Sequence, residues 1–294
     1  MDWRKKEKII KYILLFFALS SIIFLTGIVI VLFREGLPIF RKVGVIDFIF
    51  GKDWYPTYDP ASFGILPLIT ASLMVTVGAM IFSVPIGLAS SIFISYILPK
   101  KLKGFVKPAI ELLAGIPSVI YGLFGMKILG PFLRDLFGLP TGLTALTASI
   151  MLGIMALPTI TSLAEDAITS IPKRYRDASL ALGGTKWETI SRVILPTASS
   201  GIVTAIILGM GRAIGETMTV LMVAGGAAAM PSSFLKPVRP MTATIAAEMG
   251  EAPVGSEHYQ ALFGIAIILF IITLTFNVLA DIASRRFKKR VSGN

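Results

Sequence analysis

The sequence contains no cysteine and a single histidine, His258. Without thiols there is no disulfide framework, no thiolate metal site and no cysteine nucleophile. A lone imidazole also excludes multi-histidine metal clusters and most histidine-based catalysis. Charge is scarce as well. Only 15% of the 294 residues are Asp, Glu, Lys or Arg, against about a quarter in soluble domains. With 54% hydrophobic residues, the deficit points to a chain whose solvent is a bilayer.

Six segments approach the roughly 20 apolar residues that span about 30 Å of hydrocarbon. They run from about Ile9 to Phe33, Leu66 to Leu98, Leu112 to Leu129, Leu143 to Leu163, within Ala198 to Gly225, and Ala261 to Leu279. The second is longer than a bilayer requires and is expected to tilt or kink, with Pro85 as the site. Gly115, Pro117, Gly122 and Gly125 interrupt the third. The first is too long for a signal h-region, and no small-x-small cleavage site follows it, so it reads as a retained anchor.

Basic residues give the orientation. Arg4, Lys5, Lys6, Lys8 and Lys11 precede the first span, and Lys100, Lys101, Lys103 and Lys107 separate the second from the third. Lys173, Arg174, Arg176, Lys186 and Arg192 lie between the fourth and fifth, and Arg285, Arg286, Lys288, Lys289 and Arg290 close the chain. This bias predicts six crossings with both termini in the cytoplasm. The formal net charge of +11 is thus topological, and nucleic acid is not an expected partner. Three units follow: an anchor helix with an extracytoplasmic loop over 1–64, a transmembrane core over 65–284, and a basic cytoplasmic tail over 285–294. No hydrophilic segment approaches the roughly 50 residues of a separate domain.

The expected cytoplasmic segment Ser170–Pro196 is far longer than the usual 2–8-residue helix connection. Pro172 suits a helix start, and Tyr175, Ala178, Ser179 and Leu182 follow at helical spacing. Gly183-Gly184 fits a C-cap. Thr185-Lys186-Trp187-Glu188 reads as a capping box, opening a second short helix that Pro196 is expected to stop. Solvated charge is the plain reading; a docking element explains the length.

Asp177-Ala178-Ser179, Gly183 and Val193-Ile194-Leu195-Pro196 resemble the Glu-Ala-Ala signature of ABC-importer permeases, with conservative departures at 177, 179 and 193. Leu113-Ala114-Gly115-Ile116-Pro117-Ser118-Val119-Ile120-Tyr121-Gly122 and Arg212-Ala213-Ile214-Gly215-Glu216-Thr217-Met218-Thr219 are similar to PstC-type permeases of phosphate importers. So are Phe63-Gly64-Ile65-Leu66-Pro67-Leu68, Pro237-Val238-Arg239 and Glu248-Met249-Gly250-Glu251. The resemblance implies an all-α, six-helix type I importer permease. Its implied partners are a PstA-like second permease, two PstB-like ATPase subunits and a PstS-like extracytoplasmic phosphate-binding protein. It implies docking of the ATPase on Tyr175, Asp177, Ala178, Ser179, Leu182, Gly183, Trp187 and Glu188.

Arg212 lies about 24 Å along a helix beyond Pro196, near mid-bilayer, where an arginine costs about 2.5–3.5 kcal/mol on insertion scales. Glu216 is one turn on, so an internal ion pair is the plain expectation. The other reading is that Arg212 offers its fork to a passing phosphate while Glu216 steadies it and moderates affinity. The resemblance places both in the translocation path. Ser118, beside the broken third span, is a further candidate lining group. Gly211-x-x-x-Gly215 predicts close helix packing at a subunit interface. Glu165-Asp166 is expected to be solvated helix-end charge, and His258 an ordinary loop residue.

No Gly-x-x-x-x-Gly-Lys-Ser/Thr loop is present, so ATP and Mg are expected on a partner ATPase, and this chain is expected to bind no cofactor. The expected role is a permease subunit importing phosphate by alternating access. A secondary anion carrier that titrates Glu216 leaves the capped segment unexplained, and an intramembrane enzyme lacks an evident nucleophile, base or metal cluster.

Overall fold

The computed structural model describes residues 3–292, without side chains for 3–6, 100, 280 and 283–292. The side chains of the expected basic tail at 285–294 therefore lie outside the described residues. Five described helices are long and apolar enough to cross a membrane, and a sixth crossing exists only if one sharply bent pair counts as one.

Helix α1 (Trp3–Val43) continues ten residues past the expected end at Phe33. None of its most apolar stretch is buried in the isolated chain, as suits a lipid-facing surface. Helix α2 (Val45–Phe50) and a two-stranded hairpin, β1 (Trp54–Tyr55) with β2 (Ser62–Phe63), follow. Helix α3 (Leu66–Ile92) contains Pro85 without ending there, and runs into a π-helical turn over Phe93–Ile97. Leu98, ahead of Pro99, is extended, as the steric demand of the proline ring requires.

The basic stretch after Pro99 is not a loop. It forms helix α4 (Lys100–Ala114), which breaks at Gly115–Pro117 and turns into α5 (Ser118–Phe124). A π turn over Gly125–Leu129 leads into α6 (Gly130–Phe137). The halves on either side of the break meet at 87°, because Pro117 removes a helical donor and Gly115 ends α4 as its C-cap. Helix α7 (Ala145–Thr169) is the most buried of the long helices and packs on both α3 and α10 (Leu195–Ile214). Helix α8 (Lys173–Ala181), the single turn α9 (Lys186–Glu188) and a π turn over Thr189–Ile194 lead into α10.

Pro196 therefore does not stop a short second helix, since Lys186–Ile214 is one continuous helix. A proline ring clashes with the carbonyl four residues back. The wider π turn before Pro196 moves that carbonyl aside, and the turn before Pro131 does the same. Short helices α11 (Met218–Val223) and α12 (Met241–Glu248) precede the final long helix, α13 (Glu257–Ser292).

The middle of the bundle is packed with small residues, among them Ala71, Ala79, Ala145, Ala148 and Ala213. That suits helices held together by close contact rather than by expulsion of water. Within this chain the tight approaches of α10 fall at glycines other than Gly211 and Gly215, whose expected contact is with a second subunit. A Cβ on Gly209 would lie 2.5 Å from Ile160, and one on Gly201 2.4 Å from the Ala167 Cβ, whereas Gly211 has ordinary space beside Asn277. These contacts seat α10 on α7 within one chain. At the end holding the β-hairpin, larger side chains (Phe48, Trp54, Phe63 and Leu262) form a second core, built like that of a water-soluble domain.

Candidate functional site

Arg212 stands in the last turn of α10, and the helix ends two residues later at Ile214. Glu216 consequently leaves the face that Arg212 occupies. Its Oε1 accepts from the Thr219 backbone N–H at 3.2 Å, capping the start of α11. Among the described residues Arg212 and Glu216 form no ion pair, against the plain expectation of one. Instead Nη1 of Arg212 donates to Thr159 Oγ1 of α7 at 3.2 Å, and Nη2 donates to the Ala114 carbonyl at 3.0 Å. Ala114 ends α4, so that carbonyl is one of the unsatisfied helix-terminal acceptors, a favourable neighbour for a cation. A guanidinium carries five N–H donors; these two bonds leave the rest without a protein partner among the described residues.

The broken third span meets Arg212 and Glu216 here. The Ser118 carbonyl accepts from Thr219 Oγ1 at 2.9 Å, and the Glu216 carbonyl accepts from Thr242 Oγ1 at 2.8 Å. Arg212, Glu216 and Ser118 thus share one junction of α4, α5, α10, α11 and α12. Tyr121, whose hydroxyl donates to the Leu113 carbonyl at 2.9 Å, also lies within the field of Arg212.

Helix α4 is held along the end of α7 by charged contacts. Glu165, expected to be solvated, is 1% exposed and accepts from Lys103 Nζ at 2.5 Å and Lys107 Nζ at 2.7 Å. Lys107 also pairs with Asp166, and Ser162 donates to Glu111 at 3.3 Å. Because α4 runs antiparallel to α7, this ladder ends at Ala114, the carbonyl that Arg212 uses. Sequence reading missed the ladder, since its members lie about 60 positions apart; the only signal was the lysine spacing of Lys103 and Lys107 on one helical face.

The expected docking segment is built as the caps predict. Gly183 is left-handed at φ +83°. The Gly184 N–H reaches the Ser179 carbonyl and the Gly183 N–H the Leu180 carbonyl, a Schellman motif. Thr185 and Glu188 form the reciprocal capping box. Ser179 Oγ and Thr189 Oγ1, 2.9 Å apart, tie α8 to the following helix. Tyr175, Ala178, Ser179, Leu182, Gly183 and Glu188 line one open groove of about 850 Å³. Leu182 there is 90% exposed, an apolar tip with nothing over it. Asp177 and Trp187 do not line that groove.

At the opposite end, His258 is no ordinary loop residue. Glu248 accepts from His258 Nε2 at 2.9 Å, from Arg239 Nη1 at 2.6 Å and from the Trp54 indole at 3.1 Å. One carboxylate joins the hairpin, the 225–240 loop, α12 and α13.

These features describe a polytopic helical bundle with a capped helical segment at one end and an arginine at the junction of its broken span, and the comparisons say which family it falls in. The chain belongs to the family described as binding-protein-dependent transport system inner membrane component, which matches residues 83–293, and within it to the PstC-type ABC permeases. It is 38% identical over 273 residues to a probable ABC transporter permease protein, YqgH, of Bacillus subtilis, covering 92% of this chain and 88% of that one. It is 33% identical to the phosphate transport system permease protein PstC of Mesorhizobium japonicum, covering 93% and 88%.

In fold it resembles a chain of a bacterial alginate ABC transporter (TM-score 0.68, 16% identity, 97% and 96% covered). It also resembles a chain of the MetNI methionine ABC transporter in inward-facing conformation (TM-score 0.61, 20% identity, 76% and 95% covered). The chain is a multi-pass inner-membrane subunit of an ABC importer that works with ATPase and binding-protein partners. It is not itself an enzyme; the ATPase is a separate subunit.

Proposed function

We propose that this chain conducts inorganic phosphate into the cytoplasm as one permease half of an ATP-driven importer. The observation that carries the reading is Arg212: a membrane-embedded guanidinium not neutralised by Glu216, with donors to spare. Arginine binds tetrahedral oxyanions in bidentate fashion. The two bonds to Ala114 and Thr159 fix the plane of the fork, and the remaining N–H groups face an incoming phosphate. Glu216, anchored at the start of α11, and Ser118, at the break in the third span, complete the lining. A carboxylate beside the path keeps phosphate from binding too tightly to leave. Relatives that are phosphate transport system permeases support the substrate.

The bent pair α4–α6 serves as the sixth crossing, with both termini cytoplasmic. The partners are a PstA-like permease, two PstB-like ATPases and a PstS-like binding protein. Residues 1–64 act as an anchor, 65–284 as the transport core and 285–294 as a basic tail. ATP and Mg stay on the ATPases, which engage the groove at Tyr175, Ala178, Ser179 and Leu182. Their closure swings the spans between outward- and inward-open states. The gradient-coupled carrier reading gains nothing from the family, and Glu216 is already engaged as a helix cap.

The test is phosphate uptake by the reconstituted complex. Arg212→Ala should lose about 100-fold or more, since hydrogen bonds to charged groups are worth about 1.5–3 kcal/mol each, while the subunits still co-purify. Arg212→Lys should keep part of the activity. Undiminished uptake in Arg212→Ala rejects the role.

A further inference from the structure

Trp187 is 65% exposed yet stands outside the groove lined by Tyr175, Ala178, Ser179 and Leu182. It lines a pocket of about 230 Å³ with Tyr96, Arg176, Leu180, Lys186 and Ile190. Trp187 and Ile97 also line an adjoining groove of about 600 Å³, whose other walls include Phe93, Val106 and Ile110. No carboxylate lines either space, and neither Arg176 nor Lys186 forms an ion pair among the described residues. An aromatic pair flanked by two uncompensated cations, opening onto an apolar trough between helices, matches one kind of molecule: a negatively charged headgroup carrying an acyl chain. Tryptophan and tyrosine favour the membrane–water boundary, and basic pockets between spans attract acidic lipid headgroups.

We infer that this is a binding site for an anionic phospholipid, with the headgroup phosphate at Arg176 and Lys186, the glycerol region against Trp187 and Tyr96, and a chain lying along Phe93 and Ile110. The site rests only on the chain's membrane character, so its failure would leave the permease reading untouched. Each basic residue near an acidic membrane surface contributes a factor of about five in affinity, so the two together give a preference of about 30-fold.

The full chain in nanodiscs of phosphatidylcholine is titrated with brominated phosphatidylglycerol or brominated phosphatidylcholine. The Trp187 signal is taken as the difference between wild type and Trp187→Phe. Half-quenching should need about 30-fold less of the acidic lipid, about fivefold less in Arg176→Gln or Lys186→Gln, and equal amounts in the double variant. Several outcomes would overturn the site. These are equal quenching by both lipids in wild type, a preference that survives the double variant, and displacement of the preference by inorganic phosphate. Loss of quenching once the ATPases and second permease are bound would also overturn it, because a protein would then be the occupant.

Discussion

At the residue scale, two side chains each join several elements, with at least one partner far along the chain. Arg212 is held by Ala114 and Thr159, 98 and 53 positions away, which leaves its other donors without a protein partner among the described residues. Glu248 gathers Trp54, Arg239 and His258, with 15% of its own side chain exposed. Removing it strands a largely buried imidazole, a half-buried guanidinium and an indole N–H. Each such loss costs about 1–3 kcal/mol. Glu248→Ala should therefore lower the unfolding temperature of the detergent-purified protein well below that of Glu248→Gln, which can still accept from Trp54. Thermal unfolding of the two variants side by side checks this.

At the element scale, local signals were legible and their limits instructive. The capping box at Thr185–Glu188 and the glycine stop at Gly183 depend on groups within five residues of one another, so spacing alone revealed them. A Cβ on Gly183 would meet no heavy atom within 4 Å; the requirement there is purely the left-handed backbone, which costs another residue about 1–2 kcal/mol. Gly183→Ala should loosen the α8 end and raise the ATP hydrolysed per phosphate transported, with Gly183→Asn milder, as measured on the reconstituted complex. Pro196 misled because proline ends helices only when the preceding turn cannot widen, and here a π turn does. The α4–α7 ladder makes a further prediction. Lys103→Met with Lys107→Met leaves Glu165 buried and uncompensated, a loss of about 3–5 kcal/mol, visible as a lowered unfolding temperature.

At the scale of the whole molecule, the chain is a bundle whose two ends are built differently. One end presents the capped groove and the cationic aromatic pocket, and the other is tied together by Glu248 and a core of large side chains. In the proposed arrangement the force is applied at α8 by the ATPases and reaches Arg212 through the helices between. The isolated chain should accordingly show no phosphate uptake driven by a sodium or pH gradient in proteoliposomes, whereas the complex with ATP should. Gradient-driven uptake by the chain alone would refute the arrangement.

Apolar run length and short-range caps determined by themselves that this is a multi-span helical chain with a capped pair of short helices between two of its spans. They did so because each depends on residues a few positions apart. The tertiary structure decided what Arg212 and Glu216 touch, that Glu165 is buried, that His258 joins a network and that Trp187 lines a different pocket from Tyr175 and Leu182. The contacts of Arg212, Glu165 and Trp54 join positions 53 to 194 apart, and a helix that stops just short of Glu216 is enough to redirect a carboxylate that spacing alone had placed beside its arginine.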